Sequence, residues 1–141
     1  MLRVVFDTVI FVRALINPYG LWGRLVFQNR GRYELVISPP TVRELLDVIH
    51  RPEVARRFRT LANLDVRQVL ELIEQARVVT FDDVPQIARD AKDDVFLATA
   101  AAARADYLVS EDNDLLVLGV HGNVKIVTAA DFLDLLDRDE G

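Results

Sequence analysis

Short apolar runs rich in β-branched residues alternate along the chain with segments whose apolar positions recur at three- and four-residue spacing. Residues 2–6, 34–37, 78–81, 106–109 and 124–127 are the predicted strands; the first is apolar on both faces, as a central strand is. A helical pattern follows over 9–16 and is broken by Asn17-Pro18-Tyr19-Gly20. A second over 21–29 places Leu21, Leu25 and Val26 on one face, with Arg24 projecting elsewhere. Thr41, with Glu44 three residues later, has capping-box spacing and predicts a helix with an apolar stripe of Val42, Leu45, Leu46 and Ile49, ended by His50-Arg51-Pro52. Residues 53–77 read as one short and one long helix, the second carried by Val66, Val69, Leu70 and Ile73 with Asp65 near its start. A loop at Asp82-Asp83-Val84-Pro85 and an irregular stretch over 87–92 lead to Asp93-Asp94, predicted to open an Ala-rich helix to about Ala103. The polar cluster Ser110 to Asp114 follows the fourth strand, and Thr128 caps a last helix to Leu136. This alternation predicts an α/β domain: a mostly parallel sheet of four to five strands in a three-layer α/β/α arrangement.

Composition narrows the classes. With 141 residues, 51% of them hydrophobic, one unit over residues 1–141 buries a sufficient core without cross-links. The absence of cysteine excludes thiol nucleophiles and zinc fingers and fits a reducing cytoplasm, the expected location. Residues 1–7 carry Arg3 and Asp7 in a short apolar run, unlike a secretory signal, and no stretch approaches the roughly 18 apolar residues of a membrane span. The net charge of −5 is divided unevenly: residues 1–60 carry +5, and residues 61–141 carry −10. Fifteen of the seventeen basic residues are Arg, whose planar fork suits phosphate, although Arg in place of Lys is also what a GC-rich genome produces.

The acids converge on one edge of the expected sheet, where ligands bind outside the carboxyl ends of parallel strands. Asp7 follows the first strand, Asp112 lies three residues beyond Val109, Glu44 stands in the first turns after the second strand, and Asp93 and Asp94 begin the helix leading to the fourth. Each has a plain structural role open to it. Asp7 suits a helix cap, Glu44 a capping box, Asp93-Asp94 the helix dipole, and Asp112 and Asp114 an ordinary turn. Together, crowded carboxylates must protonate or take up a cation, and all-oxygen ligation selects Mg²⁺ or Mn²⁺.

At these positions the chain resembles the PIN-domain family, in particular the bacterial toxin-type group related to VapC nucleases. The likeness rests on Val4-Val5-Phe6-Asp7-Thr8 with Ala14-Leu15, Ser38-Pro39 with Glu44-Leu45, Asp93-Asp94-Val95-Phe96-Leu97-Ala98 with Ala100, and Tyr107-Leu108-Val109-Ser110-Glu111-Asp112 with Asp114-Leu115-Leu116. The resemblance implies an acidic site of Asp7, Glu44, Asp94 and Asp112. Asp7, Asp94 and Asp112 would be the metal ligands and Ser110 the hydroxyl beside the last acid, with Thr8, Asp93 and Asp114 as supporting or additional groups. One departure is visible: Val9 stands where the family pattern Asp-Thr-Asn has an amide.

The expected reaction is Mg²⁺- or Mn²⁺-dependent hydrolysis of single-stranded RNA, leaving a 5′-phosphate and a 3′-hydroxyl. His50 and His121, the only histidines, sit at a helix end and in a Gly-flanked turn, so paired-histidine chemistry has little support. Arg13, Arg24 and Arg43 are candidate nucleic-acid contacts near the first two motifs; Arg56, Arg57 and Arg59 form a cluster farther off. Trp22 and Tyr19 offer rings to stack a base, or packing anchors. The resemblance also implies a small antitoxin partner covering the groove and a homodimer. Two rival readings are a phosphoacceptor receiver domain, disfavoured because Asp7 is unpaired and Lys125 lies inside a strand, and a catalytically weak PIN-like module that binds RNA or a partner.

Overall fold

A computed structural model describes residues 1–58, 64–84, 86–88 and 90–139. Six strands form one sheet in the order β3-β2-β1-β4-β6-β5. β1 (Arg3–Phe6), β2 (Glu34–Ile37), β3 (Arg77–Val78), β4 (Tyr107–Val109) and β6 (Val124–Val127) run parallel, and β5 (Val120–His121) pairs antiparallel with β6. The sixth strand exceeds the four to five expected: His121, placed in a turn by sequence, belongs to β5. A two-residue strand shows no alternation for a pattern to reveal; the hairpin is marked instead by Gly119 and Gly122, at φ of +69° and +61°. β3 ends at Val78, so the strand expected over 78–81 starts one residue earlier and is shorter.

The helices are α1 (Thr8–Ile16), α2 (Leu21–Gly23) continued by a π-helical turn Arg24–Gln28, α3 (Pro39–Ile49), α4 (Pro52–Ala55) with a 3-10 turn Arg56–Phe58, α5 (Leu64–Gln75), α6 (Ala91–Ala103), α7 (Asn113–Leu116) and α8 (Ala129–Asp139). Arg59 and Pro85 lie outside the described residues. Side chains alternate across β1 and divide the core in two. Val4 and Phe6 join Leu35, Ile37 and Val109 against α1, α3, α5 and α8, whereas Val5, Val36, Leu108 and Ile126 meet α6 and Leu115 on the other face. The result is the expected three-layer architecture. Ala100 and Ala103 bring α6 close to the sheet, and Phe6 fixes the end of β1 through edge-on contacts with Phe11, Tyr33 and Phe132 at ring separations of 5.6, 5.2 and 6.5 Å.

Two helix starts differ from expectation. Pro39 and Pro40 are accommodated in the first turn of α3, so the cap is Ser38, whose backbone N–H donates to Thr41 Oγ1 at 3.0 Å, and not Thr41. Glu44 is thereby released from any capping role. α6 starts at Ala91 rather than Asp93, because Asp90 caps it by accepting the Lys92 N–H at 3.0 Å.

Gly23 is the tightest backbone approach: a Cβ there would lie 1.9 Å from the Pro18 carbonyl oxygen. This contact locks α2 onto the Pro18 turn and sets the position of the adjacent Trp22. Gly23→Ala is expected to lower stability by about 1–3 kcal/mol through overpacking, read as a reduced urea midpoint with an unchanged slope.

Candidate metal centre

Backbone pairing carries the site to the carboxyl edge of the sheet. β1 and β4 are neighbours from which the chain winds outward in opposite directions, the arrangement that opens a crevice at a parallel sheet's edge. The Asp7 N–H donates to Val109 O and the Ser110 N–H to Val127 O, both at 3.0 Å, extending the ladder one residue past each strand. Asp7 and Ser110 are consequently side by side: Ser110 Oγ donates to Asp7 Oδ2 at 2.8 Å and accepts the Asp112 N–H at 2.9 Å. Asp112 in turn caps α7, its Oδ1 accepting the Asp114 N–H at 2.9 Å.

Asp93, Asp112 and Asp114 each present a carboxylate oxygen within 4.8 Å of the others. Asp93 is buried, and its Oδ2 has no hydrogen-bond partner. Burial, the Asp112 charge with a proton shared between the two carboxyls, and the Asp7 and Asp90 charges push the Asp93 carboxyl up to about 7. Asp7 is also raised, chiefly by burial and further by Glu44 and Asp112, against the lowering effect of its bonds to Ser110 and the Val9 backbone. Glu44 accepts the Thr8 hydroxyl on Oε2 at 2.9 Å, which ties α3 to the first turn of α1 beside Asp7. Asp7 therefore borders the three-acid cluster, within electrostatic reach of Asp93 and Asp112, and Glu44 lies beyond it, within reach of Asp7.

Asp94 is occupied differently. Its Oδ1 accepts the backbone N–H groups of Ile87 and Ala88, at 3.0 and 2.6 Å, and holds the loop that precedes α6. Sequence reasoning favoured Asp94 over Asp93, but the carboxyl that meets Asp112 is that of Asp93. The signal lay in the helical period: Asp93 continues the stripe of Phe96, Ala100 and Ala103 that packs on the sheet, and so projects beyond the sheet's end.

The three candidate arginines are exposed, and no carboxylate pairs with Arg13, Arg24 or Arg43 among the described residues. Arg13 lies over the Trp22 ring, 4.8 Å from its centroid. Trp22 Nε1 donates to Glu111 Oε1 at 3.3 Å, a contact across 89 residues that no sequence pattern announced. Tyr19 is exposed. Buried and half-buried acids, all oxygen donors, with one orphaned oxygen and no histidine joining them among the described residues, fit a hard divalent cation.

Residues 3–114 match the family model described as PIN domain, and the chain belongs to that family. PIN domains are typically nucleases and usually use divalent metals. The structure is similar to the crystal structure of PAE2754 from Pyrobaculum aerophilum, with a TM-score of 0.60 and 16% identity over 97% of this chain and 90% of that one, a likeness of fold. No curated protein matches the chain.

The raised carboxyls give a pH dependence with a definite sign. A folded-state value near 7 for Asp93, above its ordinary 3.8, means that the folded chain binds more protons than the unfolded one; this stability is complete below about pH 4 and lost as pH rises through 7. In EDTA, the melting temperature is expected to fall by several degrees from pH 5 to pH 8. Asp93→Asn is expected to flatten that slope, and Mn²⁺ to raise the wild-type melting temperature more at pH 8 than at pH 5.

Proposed function

We propose that this PIN domain, acting as one unit over residues 1–141, is a Mg²⁺- or Mn²⁺-dependent endoribonuclease of single-stranded RNA and the toxin of a toxin–antitoxin pair. The observation that carries the reading is that Asp93, whose buried Oδ2 has no hydrogen-bond partner, brings its carboxyl within 4.8 Å of those of Asp112 and Asp114. Among like charges such an oxygen is stabilised by a proton at low pH and by a cation once the carboxyls ionise.

In this reading Asp93, Asp112 and Asp114 hold the metal, and Asp93 takes the ligand role expected of Asp94. Asp7, oriented by Ser110, adds negative charge at the cluster's border and a further ligand oxygen. When bound, the ion supplies acidity for an attacking water and positive charge to offset that developing at the phosphate. Thr8 engages Glu44 Oε2, leaving Oε1 to accept a proton or hydrogen bond from water at the rim. Exposed Arg24 and Arg43 contribute attraction for a polyanion whose approach the acids oppose.

The toxin setting, with a small protein partner covering the groove, a homodimer and a cytoplasmic location, is supported by the likeness of the motifs to toxin-type sequences. No helix among the described residues is long and apolar enough to cross a membrane. The rival reading, a weak RNA-binding module, is favoured by one observation: exposed Val9 offers no amide beside Thr8.

Cleavage of a single-stranded RNA oligonucleotide decides between them. Wild type is expected to cut only with Mg²⁺ or Mn²⁺, leaving 5′-phosphate and 3′-hydroxyl ends. Asp93→Asn is expected to abolish cleavage. Asp94→Asn keeps an oxygen for the Ile87 and Ala88 amides and is expected to lower cleavage by only about 10-fold. Metal-independent cutting, cyclic-phosphate ends or the reverse order of the two variants overturns this assignment, and binding without cleavage establishes the module.

A further inference from the structure

Several of the described arginines are engaged by carboxylates: Arg3 and Arg77 bond Glu34, Arg30 bonds Glu71, and Arg51 bonds Asp47. Arg13 differs from them. Its guanidinium lies 4.8 Å over the Trp22 ring and has no carboxylate partner among the described residues. This cation–π contact consumes none of its N–H donors, and no protein acceptor takes them among the described residues.

The ring beneath it is itself held. Trp22 Nε1 donates to Glu111 Oε1 at 3.3 Å, and the same oxygen accepts the Ala129 N–H at 3.0 Å, at the start of α8. Glu111 sits between Ser110, which bonds Asp7, and Asp112 of the acidic cluster. Gly23, wedged against Pro18, limits movement of the segment carrying Trp22. An exposed cation is therefore fixed, through one ring and one carboxylate, to the loop that carries the site's central acid.

We infer that Arg13 holds a backbone phosphate of the substrate strand adjacent to the scissile one, with Trp22 and Glu111 as positioning residues that keep this phosphate subsite in register with Asp112. Arg13 is six residues beyond Asp7 on α1, roughly 9 Å along the helix axis, so the phosphate it holds is a neighbour of the reacting one. A planar fork with free donors binds two non-bridging oxygens at once, and the contact with Trp22 lowers the entropy lost in doing so. The subsite rests on the ribonuclease reading above.

The test uses the full chain and a single-stranded RNA oligonucleotide, with cleavage kinetics in Mn²⁺ and binding in EDTA followed by the emission of Trp22, the only tryptophan. Arg13→Ala is expected to raise KM by about 10-fold or more, the loss of a charge-assisted contact, with Mn²⁺ affinity by calorimetry unchanged. The salt dependence of binding loses about one unit of slope, and the emission change on RNA addition disappears. Arg13→Lys recovers little, because an ammonium lacks the fork. Trp22→Phe keeps a ring but loses the bond to Glu111, and gives a smaller rise in KM. If wild type cleaves RNA while Arg13→Ala leaves KM and salt slope unaltered, the inference is overturned and the nuclease reading stands. If wild type neither binds nor cleaves RNA, both fall.

Discussion

Parallel pairing of β1 with β4, continued one residue past each strand, brings Asp7 and Ser110 together at the sheet's edge. The rest of the site is built outward from that shared edge. Ser110 orients Asp7 and receives the Asp112 N–H, Asp112 caps α7 and aligns Asp114, and α6 delivers Asp93 from the opposite face. The aromatic contacts of Phe6 secure the residue immediately before Asp7, so core packing and site geometry are consecutive along the chain. Carboxylates gathered in this way oppose folding when ionised, and the protein tolerates the repulsion because the neighbourhood also suits a cation.

Neighbouring acids on one helix do different work here because about 100° of rotation separates them. Asp93 is carried over the sheet's end into the cluster, whereas Asp94 turns toward the loop before α6 and satisfies two backbone amides that would otherwise be unpaired. The structural carboxylate thus shapes the entry to the helix that presents the other. At 16% identity, what this chain has in common with the similar crystal structure is the path of the backbone.

The parts of the fold legible in sequence were those governed by local pattern. β1, β2 and β4 are almost wholly apolar runs because helices cover both faces of the sheet, β6 alternates around exposed Lys125, and the convergence of acids on one edge followed from their order between those runs. What escaped depended on single local contests or on distant partners. Two prolines moved the cap of α3 to Ser38 and left Glu44 to Thr8, and Asp90 opened α6 two residues before Asp93. β5 was too short to show a period. The Trp22–Glu111 contact joins segments that only the completed fold brings together.

Both margins of the sheet end in two-residue strands, β3 with exposed Val78 and β5 with exposed Val120. Another chain docking side-on at either border would find only a couple of backbone rungs to extend, far fewer than a long flat margin provides. Margins this short leave the molecule little template for runaway fibrous stacking.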